Sequence, residues 1–215
     1  MKFNEIPTEL TTAATDLILA VLAFGAVIYL LRLRSADSWK ANLWAATFAM
    51  LSFASGLGAV AHGFDMTPAT NRLLWQPLNL ALGLTIALFV VGALYDRSGQ
   101  RTAKRALPIM IGVGVAFFAV TQIASGSFLI FVIYEAIAML IALTIYLQLT
   151  MQRKLGGAAF MTAGVLLTLI AAALQASKAV TFTMVWQFDH NGVFHLAQMV
   201  GVLMLVAGLR RALDT

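Results

Sequence analysis

Three histidines, a few carboxylates and a set of amides stand out in a sequence that is otherwise strongly apolar. The histidines are His62, His190 and His195, and the acids that fall in the same half of the apolar runs are Glu5, Glu9, Asp16, Asp65, Glu135 and Asp189. Ser55, Asn79, Gln122, Gln175, Asn191 and Gln198 supply neutral polar groups. Imidazole nitrogen and carboxylate oxygen form a donor set that zinc favours, and a catalytic zinc keeps three protein ligands and one position for water. The same groups can instead carry protons or hold a polar ligand inside a membrane. Cysteine is absent, which removes thiolate nucleophiles and thiolate metal ligands.

The spacing places these residues on common helix faces. Asn191, His195 and Gln198 fall at i, i+4 and i+7, and Ser55 and His62 are seven apart. Glu9, Thr12 and Asp16 follow i, i+3, i+7, while Gln76 with Asn79 and Gln175 with Lys178 follow i, i+3. Gln122 lies about one turn from the end of its apolar run. Glu135 lies about 12 Å below the boundary if its helix starts near Ser127, at about 1.5 Å per residue. An ionised carboxylate there needs a close cation or water, so Glu135 is expected to face the interior and bond to a group such as Gln122 or Tyr134.

The elements that must position these groups follow from composition. Of 215 residues, 61% are hydrophobic and 11% charged, and mean hydropathy is +0.89. A soluble domain, a disordered chain, collagen, a coiled coil and a disulfide-stapled secreted domain are all excluded. The net charge of +5 is not a nucleic-acid footprint, because the basic residues sit in short gaps between apolar runs. Seven runs meet the requirement of about 20 apolar residues for a membrane helix, at roughly 14–33, 41–63, 73–95, 105–125, 127–150, 156–178 and 190–210. Period-2 alternation is lacking, which excludes a barrel. The expectation is an all-α membrane protein, a single-domain seven-transmembrane-helix bundle with no room for a soluble domain. No internal repeat is visible, which argues against an inverted-repeat transporter.

Eleven basic residues (Arg32, Arg34, Lys40, Arg97, Arg101, Lys104, Arg105, Arg153, Lys154, Arg210, Arg211) fall on one side and three (Lys2, Arg72, Lys178) on the other. By the positive-inside rule the N-terminus is outside and the C-terminus cytoplasmic, in a bacterial inner membrane. The first span is not a cleaved signal peptide, because Arg32 and Arg34 follow it directly without a small-residue cleavage site. The polar groups then gather at the outer ends of the spans, in an outward-facing pocket between spans one, two, three, five, six and seven. Blander roles compete for several of them. Ser55, Gln76 and Gln175 can act as interhelical glue, and Glu9 as a helix-start carboxylate. Asp189 can be the N-cap of span seven, and Lys178 can snorkel to the surface. Trp39, Trp44, Trp75 and Trp186 are expected as interfacial anchors.

Seven spans with the N-terminus outside, a Ser and His pair in span two and a histidine cluster opening span seven resemble the CREST superfamily. That superfamily includes alkaline ceramidases and progestin/adipoQ receptors. The segment from Phe188 to Gln198 also looks like the last span of an uncharacterised bacterial seven-helix family. The CREST resemblance implies an intramembrane zinc held by three histidines and hydrolysis of a lipid amide. It assigns His62, His190 and His195 as ligands, Asp16 or Asp65 as base and Ser55 as stabiliser. Asn79, Gln122, Glu135, Gln175, Asn191 and Gln198 complete the pocket. The family's last-span histidine falls where Asn191 stands, and its span-two serine falls where Gly58 stands. The family's aspartate at the start of span three has Asn79 as its nearest polar counterpart.

Two other functions use the same residues. One is a membrane sensor or binding protein that needs no base to activate water. The other is a b-haem carrier with His62 and His195 as axial ligands. A retinal protein is disfavoured, because span seven has no lysine for a Schiff base. The partners expected are membrane lipids, one of them a candidate substrate, and not nucleic acid.

Overall fold

Seven helices carry nearly all of the chain, and apolar content explains why they form: in a low-dielectric environment every backbone donor must be satisfied within its own segment. A computed structural model describes residues 2–124 and 128–214. The helices are α1 (Pro7–Arg32), α2 (Ser38–Gly63), α3 (Pro68–Ser98), α4 (Gln100–Ile123), α5 (Phe128–Met151), α6 (Ala158–Ser177) and α7 (His190–Leu213). The expected start of span five at Ser127 and end of span four at 125 lie outside the described residues. All seven helices are long and apolar enough to cross a membrane. Their starts are set by local chemistry. Pro7 and Pro68 occupy the first turns of α1 and α3, and Asp37, Thr67 and Asp189 cap α2, α3 and α7 through their side chains.

Short connections force neighbouring helices to run antiparallel. α1, α2, α3, α5, α6 and α7 close into a ring in that order, because α3 packs on α5 and α7 returns to α1, whereas α4 packs on α3 outside the ring. The ring has two faces, one holding the chain's N-terminus and the other its C-terminus. On the N-terminal face two small two-stranded sheets cover helix ends. β1 (Lys2–Phe3) pairs antiparallel with β2 (Phe64–Asp65), and β3 (Phe182–Thr183) with β4 (Gln187–Phe188). Phe3 stacks on Phe64 at 5.1 Å and Phe182 on Phe188 at 4.8 Å.

The core runs down the centre of the ring, and large apolar side chains also point outward from most helices. Leu17, Val21 and Phe24 on α1, Ile109 and Val113 on α4, Ile133 and Ile137 on α5 and Leu203 on α7 are all exposed, as lipid-facing residues of a membrane bundle are. One tryptophan departs from the expected anchor role. Trp44 is fully buried and meets Phe89 edge-on at 4.9 Å. Trp75 lines an internal cavity, and Trp39 stacks on Tyr95 at 5.3 Å. Trp186 alone of the four is strongly exposed, at 68%. Burial of an aromatic in the ring outweighs its preference for the interface when a neighbouring helix offers a cleft.

α6 and α7 pack through glycines. Each step of seven from Gly157 to Gly164 is matched by a step back from Gly208 to Gly201, so the two glycine pairs face each other. Gly157 also sits at φ +79°, and a Cβ there would lie 2.2 Å from the Gly208 carbonyl oxygen. Gly157→Ala is therefore expected to cost about 2–3 kcal/mol, combining left-handed strain with a backbone clash. Thermal loss of helicity in detergent, compared with Gly25→Ala, whose added methyl meets nothing within 4 Å, measures it.

Candidate functional site: a polar-mouthed cavity inside the helix ring

The six ring helices surround a cavity of about 340 Å³. It starts among His62, Trp75, Lys178, His190 and Asn191 at the N-terminal face and passes Asp16, Ser55, His195, Glu135 and Gln198. It ends against Phe48, Phe89, Val202 and Leu205. The six helices are the set expected from the sequence to surround the pocket. A polar mouth above an apolar floor is the shape of a site for an amphiphile, and the volume lies in the range of small-molecule pockets, about 300–1,000 Å³.

Two histidine–carboxylate pairs stand in its wall. The α1 step from Glu9 to Asp16 and the α2 step from His62 back to Ser55 are both two turns, so antiparallel packing brings the four residues to two shared depths. At the upper level His62 Nδ1 donates to Glu9 Oε2 at 2.7 Å, and the His62 ring stands edge-on to Trp75 at 6.0 Å. At the lower level His195 Nε2 lies 3.3 Å from Asp16 Oδ1, and both residues are buried. The Thr15 hydroxyl donates to the Thr11 or Thr12 carbonyl at 3.0 or 2.9 Å. Its oxygen therefore accepts from His195 Nδ1–H, 3.1 Å away. A single proton held between Nε2 and Asp16 completes the lower pair. Gly58 makes room for it, since a Cβ there would fall 2.5 Å from Asp16 Oδ2.

α6 and α7 contribute an ordered chain of amides. Asp189 caps α7 by accepting from the Asn191 and Gly192 amides, each at 3.0 Å, and also accepts from the Thr12 hydroxyl at 3.1 Å. This places Asp189 as a cap, one of its two expected roles. Asn191 Nδ2 donates to Asp189 Oδ2 at 3.4 Å, which turns Asn191 Oδ1 towards Gln175 Nε2 at 3.0 Å. The Gln175 side-chain oxygen is left buried without a partner. Gln198 Oε1 and Glu135 Oε2 are in the same condition, and all three residues line the cavity.

A family model of unknown function, DUF6962, matches residues 11–214. The chain belongs to the DUF6962 family. No curated protein and no solved structure matches it.

In this DUF6962 member some sequence-predicted site residues lie away from the cavity. Asp65 is exposed in β2 opposite Lys2, because the short strand carries it past the end of α2. Gln122 is exposed on α4 and donates to its neighbour Thr121, since α4 lies outside the ring. Asn79 is half-buried on α3 and does not line the cavity. Glu135 does not bond to Gln122 or Tyr134, because Tyr134 instead donates to the Gly83 carbonyl at 3.0 Å. His190 is the first residue of α7, as the span expected at 190–210 has it, and it lines the cavity with His62 and His195. Among the described residues, no three His, Cys, Asp or Glu side chains converge as a metal-holding group.

A second polar cluster, at the C-terminal face, is missed by the sequence reading. Lys40, counted there as a loop charge, is 3% exposed and pairs with Asp96 Oδ1 at 2.7 Å. Its ammonium also donates to the Ala212 carbonyl at 3.1 Å, and Tyr146 donates to Asp96 Oδ2 at 2.9 Å. Asp37 accepts from the Lys40 amide and from the Tyr95 hydroxyl. The cluster ties α2, α3, α5 and α7 together below the cavity floor.

Proposed function

We propose that the protein is a membrane-embedded receptor or carrier that binds an amphiphilic small molecule in the ring cavity. The molecule's apolar part rests on Phe48, Phe89 and Leu205, and its polar end meets the Asp16–His195 level. The observation that carries this reading is one cavity with titratable side chains at its mouth and an aromatic and aliphatic floor. His62 and His195 already have carboxylate partners, and binding that alters those pairs would alter how α1 sits against α2 and α7. The protein is placed in a bacterial inner membrane with the cavity opening outward. Ten basic residues at the C-terminal face, Lys40 left aside as a buried group, against three at the other support that orientation. Native mass spectrometry of detergent-purified protein is expected to show one retained amphiphile, lost in Ser55→Leu, which fills the middle of the cavity. Wild-type protein that carries none and binds no added alkyl-chain compound would contradict the reading.

A second reading, the zinc-dependent hydrolase of the CREST type acting on a lipid amide or ester, is favoured by a specific geometry. His62, His190 and His195 share the cavity with Asp16 and Ser55. His195 Nε2 and Asp16 Oδ1 are 3.3 Å apart, close to the separation of two ligands on a tetrahedral ion with bonds of about 2 Å. Glu9 would orient His62 and leave its Nε2 for the metal. Bound zinc would supply hydroxide at neutral pH. Metal analysis decides it. About one zinc per chain, lost in His62→Ala and His195→Ala, is the outcome for the hydrolase, and wild-type protein free of zinc after growth in zinc-supplemented medium sinks it.

A further inference from the structure

The unpartnered polar atoms within the cavity wall are of one kind. Glu135 Oε2, Gln175 Oε1 and Gln198 Oε1 are buried oxygens with no hydrogen-bond partner. The orientation of Gln175 is fixed by a chain of donors. The Asp189 carboxylate, which accepts from backbone amides, requires the Asn191 amide nitrogen to face it, and Asn191 in turn requires the Gln175 nitrogen. Glu135 is 6% exposed and, among the described residues, takes part in no ion pair. Lys178 is exposed at the mouth on the α6 C-cap, where its ammonium can stay in water.

A buried acceptor without a donor costs about 1–3 kcal/mol, and more when it is charged. A ligand that occupies this space gains most by presenting several N–H or O–H donors and a positive charge. We infer that the amphiphile's polar end is a primary ammonium set against Glu135, with Gln198 as a second acceptor and Gln175 taking a further donor nearer the mouth. A carboxylate or phosphate head would set an anion against Glu135 and leave all three oxygens without donors. An alcohol head supplies a single donor and no charge. This inference rests on the amphiphile-binding reading above and adds the chemical class of the ligand.

The test uses the full chain in nanodiscs of zwitterionic lipid, with protein-free nanodiscs as blank. Three probes share one alkyl chain: dodecylamine, dodecanol and dodecanoate. Titrations followed by tryptophan fluorescence and thermal stabilisation are expected to give dodecylamine affinity at least about tenfold above dodecanol, the scale of a charge-assisted hydrogen bond. Glu135→Gln is expected to bring the two within about twofold. Should Glu135→Gln fail to fold, Gln198→Leu is expected to narrow the same preference. Dodecanol or dodecanoate binding as tightly as dodecylamine in the wild type overturns the ammonium assignment while the amphiphile reading stands. No binding by any of the three overturns both.

Discussion

Lys40→Met is expected to destabilise the protein by about 3–5 kcal/mol, the cost of leaving a buried ionised partner without its counter-charge. The Lys40 ammonium and Asp96 carboxylate are 4% and 1% exposed, so water cannot replace the lost partner. Asp96 would keep only the Tyr146 hydroxyl, and the Ala212 carbonyl at the end of α7 would lose a charged donor. The double variant Lys40→Met with Asp96→Asn removes both charges and still offers Tyr146 an acceptor. It is expected to recover at least half of the loss, because a buried ion pair replaced as a unit is often close to neutral. Denaturant or thermal unfolding of the wild type, both single variants and the double variant gives the coupling directly. Equal stability of Lys40→Met and the wild type would show that the pair contributes nothing.

Gly58→Ala is expected to weaken ligand binding by about 10- to 100-fold with little effect on folding, the range for loss of a hydrogen bond to a charged group. The added Cβ would fall 2.5 Å from Asp16 Oδ2, and the contact is with the movable end of a side chain, so the carboxylate turns away while α1 and α2 stay packed. His195 then loses its Nε2 partner at the deeper level of the cavity wall. Gly56→Ala, two residues away, meets nothing within 4 Å and is the control expected to bind as the wild type does. Any side chain at 58 competes with Asp16 for one space. Dodecylamine titration of both variants reads the difference.

The helices were legible because apolar run length and helix length are bound together by backbone satisfaction. The ring of six was partly legible: the polar residues of α1, α2, α6 and α7 share a depth and Glu135 marks α5, but nothing in the α4 run shows that it packs outside, and Gln122 was drawn into the site for that reason. The Glu9–His62 pair had a readable signal. Glu9 to Asp16 and His62 to Ser55 are equal steps on adjacent antiparallel helices, and matching them predicts both depths of the cavity wall. The same rule applied to α2 and α3 matches the step from Lys40 to Trp44 with that from Asp96 to Gly92, where Trp44 lies against Gly92. Taken alone, a lysine and an aspartate at helix ends read as surface charges, since burial at the end of a ring depends on which neighbour covers it. Asp65 was misplaced because a two-residue strand carries no periodic signal.

Photolabelling is the most direct test of the account. A dodecylamine analogue with a diazirine near the end of its chain, bound in nanodiscs, irradiated and mapped by peptide mass spectrometry, is expected to mark the cavity floor at Phe48, Phe89 or Leu205. Excess dodecylamine is expected to suppress that labelling. Label confined to outward-facing positions such as Ile133, Ile137 and Leu203, and unaffected by competitor, would contradict the claim that the ring encloses a ligand site.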